Sequence, residues 1–169
     1  MSEIVNRVKE SGLITLDLAD YKSTLKINSI DIADQLWQGL VLKEKDFRNW
    51  IKLHSWDMYS GEAIYITCSV DAIIPTWAYM LISSKLTEFG VPNIVGNEED
   101  LEKKLFDQKI NEENLDLYQD GRIIIKGCSD VASPEYMMTE LVRKLQPVAK
   151  SIMYGEPCST VPVFKRKSS

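Results

Sequence analysis

Three cysteines, Cys68, Cys128 and Cys158, are each followed directly by serine, and the chain of 169 residues has no others. Three thiolates make a soft ligand set for zinc, iron or an iron–sulfur cluster, with a fourth position open to water, Asp71, Asp130, Glu156 or a donated cluster. A thiol at a helix N-terminus is also a candidate nucleophile, because partial positive charge and free backbone N–H groups favour the thiolate. The plain alternative is that unpaired cysteine packs as a small hydrophobe. Asp71 follows Cys68 by three residues and Asp130 follows Cys128 by two. Such carboxylates could do acid–base work or hold a cation, and they serve equally as caps of the helices that come after them. Ser69, Ser129, Ser159 and Thr160 could bind an anion with the helix N-termini, or simply solvate loops.

Several chemistries are excluded or disfavoured by missing residues. His54 is the one imidazole in the sequence, and its place near the end of a helix leading into the strand at Glu62 is the wrong rim for a Ser or Cys triad. It reads as a structural histidine. Neither GxGxxG nor GxxxxGK[ST] occurs, which argues against nucleotide hydrolysis and dinucleotide redox chemistry. A net charge of -5 and a pI near 5.0 disfavour binding to nucleic acid, and Lys165-Arg166-Lys167 reads as a solvated tail. No segment approaches the run of about 18 apolar residues that spans a bilayer, and the first residues, MSEIVNRVKESG, have no signal-peptide core. The expectation is a cytoplasmic protein that engages no membrane, whose odd number of cysteines without CxxC spacing are thiols or ligands, not a disulfide framework.

The elements that must position these groups are written twice. Residues 64–98 and 123–157 share an apolar run, Cys-Ser, Pro, Lys-Leu and Gly in one order. Counted from the first Cys, Pro75, Lys85, Leu86 and Gly96 fall at 7, 17, 18 and 28, against 6, 16, 17 and 27 for Pro134, Lys144, Leu145 and Gly155. EAIYIT after Gly61 and RIIIK after Gly121 are short and rich in β-branched residues, as strands are; Pro75 and Pro134 suit the first turn of a helix; Gly90 and Pro92, and Pro147 in the second copy, stop it. VPNIVG and AKSIMYG read as second strands. Asn97 caps a further helix with acidic residues in its first turn.

Before the repeats, LITLDL (residues 13–18) alternates as a strand does, residues 22–28 read as a loop or a short strand, and Asp31 is a candidate N-cap for IADQLW. Phe47, Trp50, Ile51 and His54 mark one face of a helix; were LVL before it another parallel strand, Lys43, Lys45 and Arg48 could reach the rim, although a solvated surface explains these charges more readily. Trp77 and Tyr136, each two residues after the repeated proline, could wall a crevice, although core packing explains the aromatics of the chain more readily.

Strand, helix, strand in this order forms a crossover with parallel strands. The expected fold is a single α/β domain over residues 1–169: a three-layer sandwich with a mostly parallel sheet, repeat units at about 62–97 and 122–157, and an N-terminal extension, 1–60. If each copy's first strand is central, Cys68 and Cys128 end adjacent strands about 4.8 Å apart, at the rim where open α/β sheets bind ligands. Residues 155–158 would leave the same rim, and TVPVFKR would return as an edge strand because Pro162 cannot donate to a ladder.

Residues 39–48 (GLVLKEKDFR), 67–81 (TCSVDAIIPTWAYML) and 144–166 (KLQPVAKSIMYGEPCSTVPVFKR) closely resemble an uncharacterised family of small bacterial proteins known as a domain of unknown function. The resemblance covers nearly the whole chain. Members of that family are often encoded beside iron–sulfur cluster assembly components, so the resemblance implies a part in that process and iron–sulfur assembly proteins as partners. Three functions stay open: a metal-binding or iron–sulfur assembly accessory protein using Cys68, Cys128 and Cys158 with Asp130 or Glu156; a thiol-dependent transferase or hydrolase acting on a small anionic substrate; and a partner-binding module without an active site. A monomer and a homodimer are both compatible with an edge strand near Val163.

Overall fold

The computed structural model describes residues 12–127, 131–156 and 158–169. It is a mixed α/β structure with two sheets, mostly parallel, and the chain divides into two compact units. Unit 2 is the continuous segment Thr24–Lys104; unit 1 combines Met1–Ser23 with Leu105–Ser169.

In unit 2, β2 (Lys26–Asp31), β3 (Glu62–Thr67) and β4 (Asn93–Val95) lie in the order β2-β3-β4, all parallel. The central strand is apolar on both faces, with Ala63, Ile64 and Ile66 fully buried, as a covered parallel sheet requires. Helix α1 (Glu44–Leu53) turns Phe47 and Ile51 inward. Helix α2 (Thr76–Glu88) buries Ala78, Ile82 and Leu86, four residues apart, on one stripe. These side chains share a core with Ile30, Ile32, Trp56, Tyr59 and Val91. Gly90, at φ +67, ends α2 in the left-handed conformation, and the Val91 N–H reaches back to the Leu86 carbonyl at 3.0 Å.

In unit 1, β1 (Leu13–Asp17), β5 (Arg122–Lys126) and β6 (Ser151–Glu156) are parallel, and β7 (Ser159–Lys165) closes the order β1-β5-β6-β7 antiparallel to β6. Pro162 sits on this edge strand, as expected, next to a register shift that leaves Val163 unpaired. Helix α4 (Pro134–Leu145) starts with the proline at its first turn and buries Met137, Leu141 and Leu145. Its core includes Ile14, Leu16, Ile123, Ile125, Phe106, Ile110 and Ile152. Helix α3 (Glu98–Asn111) carries the division between the units. It opens with a reciprocal cap, the Asp100 N–H donating to Asn97 Oδ1 and the Asn97 N–H to Asp100 Oδ2, each at 3.0 Å.

Three sequence expectations change here. The strands form two sheets where one was expected: β3 belongs to one and β5 to the other, so Cys68 and Cys128 do not follow adjacent strands. Residues 40–42 are not a strand; a tight turn joins Trp37 to Val41 by a single bridge. Asp31 does cap, but the element it opens is a 3-10 turn, Ile32–Gln35, instead of an α-helix.

Candidate functional site

Parallel strands deliver their carboxyl ends to one rim of each sheet, so each unit has a rim of its own. In unit 2 the rim is organised by Asp31 at the end of β2. Its Oδ1 accepts the Ala33 N–H at 2.9 Å and the Ser69 N–H at 3.0 Å, which ties the loop after β3 to the end of the neighbouring strand. Burial opposes the charged form of Asp31, but the hydrogen bonds from the Ser69 side chain and from the Ala33 and Ser69 backbone outweigh it and hold the carboxyl below its ordinary value.

Cys68 stands at the start of that loop, half-buried, and its thiol donates to the Val70 carbonyl at 3.4 Å. This contact uses the S–H proton. Residues 69–75 separate Cys68 from the first residue of α2, and the field of a helix end fades beyond its first turn, so the expected activation by the α2 terminus finds no support here. Asp71 is exposed and does not cap α2, whose N-cap position is taken by Pro75. Ser69 is exposed and contributes its N–H to Asp31.

In unit 1 the rim is formed by the ends of β1, β5 and β6, and its centre is a residue that sequence reasoning missed. Lys126 ends β5 in register with Asp17 of β1, and its Nζ lies 3.8 Å from Asp17 Oδ2 and 3.6 Å from Glu156 Oε2. A lysine directly after the isoleucine run of β5 was the signal. Glu156, expected as a metal ligand, forms an exposed ion pair with Lys126 that a bound cation would replace. Cys158 is exposed in the turn joining β6 to β7, and Ser159, also exposed, begins β7 by pairing with Glu156. Gly127 follows Lys126 at φ +87, and a Cβ there would stand 2.6 Å from Asp17 Oδ1, so another residue would strain the backbone and press the carboxylate aside. The expected ligands Cys128 and Asp130, with Ser129, lie outside the described residues. Among the described residues no group of three or more His, Cys, Asp or Glu side chains could hold a metal ion.

The two aromatic residues expected at a crevice both face the helix that precedes their sheet's central strand. Trp77 packs edge-on against Phe47 of α1 at 5.9 Å, with the Arg48 guanidinium 5.4 Å over its ring. The Tyr136 hydroxyl donates to Asp107 Oδ2 of α3 at 2.7 Å, and that hydrogen bond, with burial and the nearby carboxylates, raises its pKa to about 12. Lys43 lies over Trp37, 4.0 Å from the ring centre, and Arg48 pairs with Glu44; the condition for their reaching the rim, a strand at residues 40–42, is not met. His54 is structural: its Nε2 meets the Tyr59 hydroxyl at 3.0 Å, and Trp50 and Trp56 flank the ring.

The arrangement defines a mixed α/β protein with two separately organised rims, one bearing a hydrogen-bonded thiol and one an exposed thiol beside a lysine–carboxylate cluster. Residues 2–166 match the family described as "Protein of unknown function (DUF2480)", and the chain belongs to that family. No curated protein and no solved structure matches it. No helix among the described residues is long and apolar enough to cross a membrane.

Proposed function

We propose that this chain is a metal-binding accessory protein whose site is the rim of unit 1, with Cys128 and Cys158 as thiolate ligands and Asp130 and Glu156 completing the set. The observation that carries this reading is the exposed Cys158 at the carboxyl end of β6, the parallel neighbour of β5, whose own carboxyl end leads through Gly127 to Cys128. Two thiolates with two carboxylates suit a single zinc or ferrous ion better than a resident iron–sulfur cluster, which is held by cysteines alone in its commonest forms. Iron–sulfur assembly proteins are the partners such a site would serve, on the strength of the family resemblance. Cys68, in the other unit with its proton engaged by Val70, is outside the proposed site. The same reading takes the two units as copies of one strand–helix–strand plan, supported by the matched offsets and by the parallel pairs β3–β4 and β5–β6. Burial of Ile124 as well as Ile123 and Ile125 supports a sheet covered on both faces, as a three-layer sandwich requires.

The test is elemental analysis of protein purified without air. Iron or zinc near one equivalent is expected in the native chain and in Cys68→Ser, with loss in Cys128→Ser and Cys158→Ser. Trace metal in the native chain, before and after reconstitution, would remove the proposal. Rapid alkylation of a single cysteine in that metal-free protein would favour the thiol enzyme instead.

A further inference from the structure

Beside β4, unit 2 has an open groove of about 700 Å³ lined by Thr76, Tyr79, Met80, Ser83, Thr87 and Val95 among others. The build of unit 1 shows what such a place holds. Counted from the paired prolines Pro75 and Pro134, Tyr79 and Ser83 of α2 correspond to Met138 and Val142 of α4, and β4 corresponds to β6. In unit 1 the outer side of β6 is filled by β7, whose Phe164 packs against the same core as Met138 and Val142. Among the described residues no strand fills this position in unit 2, because the chain turns at Gly96 into α3. Met80 and Val95 are left 65% and 52% exposed.

We propose that this groove receives an extended segment of a partner protein, laid antiparallel along β4 as β7 lies along β6. Strand addition uses main-chain hydrogen bonds for affinity and pockets under alternate side chains for specificity. The short edge leaves few backbone groups to pair, since the Asn93 carbonyl already accepts from Lys104 Nζ at 2.7 Å. Recognition therefore rests on a large apolar side chain against Met80, Tyr79 and Val95, where unit 1 uses Phe164. Glu88, at the end of the groove and paired at the surface with Lys85 at 3.3 Å, can take a basic residue of the guest in place of Lys85. The segment STVPVFKR, residues 159–166, carries both features and is the natural probe.

Fluorescence anisotropy of the labelled peptide STVPVFKR against the full chain reads this directly. Saturable binding is expected, weakened at least about tenfold by Met80→Asp in the protein and equally by aspartate in place of the peptide's phenylalanine. Met80 is exposed, so the variant should fold as the native chain does, which circular dichroism checks. Amide shift changes centred on Val95 would support the groove; changes centred on Tyr154 and Met153 would mean that the peptide displaces β7 and would overturn it. No saturation up to about 1 mM would also overturn it. A dimer of the free chain that Met80→Asp breaks would give the groove to a second copy and end the partner reading.

Discussion

Units 1 and 2 run through the same order of elements: a strand, a 3-10 turn, an α-helix, a second 3-10 turn, then strand, helix and strand. They differ at the end of that order and at the rim. Unit 1 adds β7 and places a lysine between two carboxylates; the sheet of unit 2 stops at β4, and its rim loop is tied to the Asp31 carboxylate by hydrogen bonds with no cation in the pair. The buried positions of both are filled mostly by isoleucine, leucine and aromatic side chains, and the differences lie at a sheet edge and at the strand ends. All four tryptophans, Trp37, Trp50, Trp56 and Trp77, fall in unit 2, which makes the contrast measurable.

The largest effects should come from the two central strands. Ile64→Ala in unit 2 and Ile123→Ala in unit 1 each remove a fully buried side chain and should cost ~2–5 kcal/mol. In urea titrations Ile64→Ala is expected to move the tryptophan transition, while Ile123→Ala moves the circular dichroism transition further than the tryptophan one. Equal displacement of both signals by both variants would erase the distinction between the units. Next comes Gly127→Ala, at about 1–3 kcal/mol, from a positive φ and a close approach to Asp17. Unit 2 has no counterpart of this glycine, since Thr67 runs straight into Cys68. An unchanged urea midpoint would show that Asp17 can move aside.

Asp31→Ala should cost about 1 kcal/mol, the usual worth of a lost cap. Because the carboxyl is held below its unfolded value, its contribution is full above that value of about 3.9 and fades as pH falls through the folded pKa. Asp31→Ala should therefore match the native chain's stability only in acid; a constant difference across pH would contradict this. The smallest effect belongs to His54, which burial holds below its ordinary value. The unfolded chain then takes up a proton first, so stability present above about pH 6.5 declines as pH drops through the folded pKa. His54→Gln should flatten the tryptophan-detected urea midpoint between about pH 7.5 and pH 5.

Much of this plan could be read from local signals. Gly61, Gly90, Pro134 and the capping pair Asn97 and Asp100 each fix a boundary through backbone geometry, and the alternation of LITLDL is real. The partition into two sheets could not be read in that way. β1 pairs with β5 more than a hundred residues later while β2 turns to β3, and both opening strands carry a similar pattern, Leu-Asp-Leu-Ala-Asp and Ile-Asp-Ile-Ala-Asp. That short echo was the clue to a plan extending beyond the repeats. β2 itself was ambiguous because Lys26, Asn28 and Ser29 give an edge strand little apolar signal. The thiols were legible as candidates but not as a group, since sharing a site depends on which strands adjoin. Lys126 was hidden by its chemistry, as a charge ending an apolar run reads as ordinary strand punctuation.

The pairing of Leu13 with Arg122 also governs the timing of assembly. As the chain leaves the ribosome at about 5–20 residues per second, β1 emerges ahead of Thr24–Lys104 and must wait for β5. Thr24–Lys104 is by then complete and able to collapse on its own core. The nascent protein thus carries an unpaired strand while all of Thr24–Lys104 is added, and the speed at which β1 finds its late partner sets how long that edge stays open to misassociation.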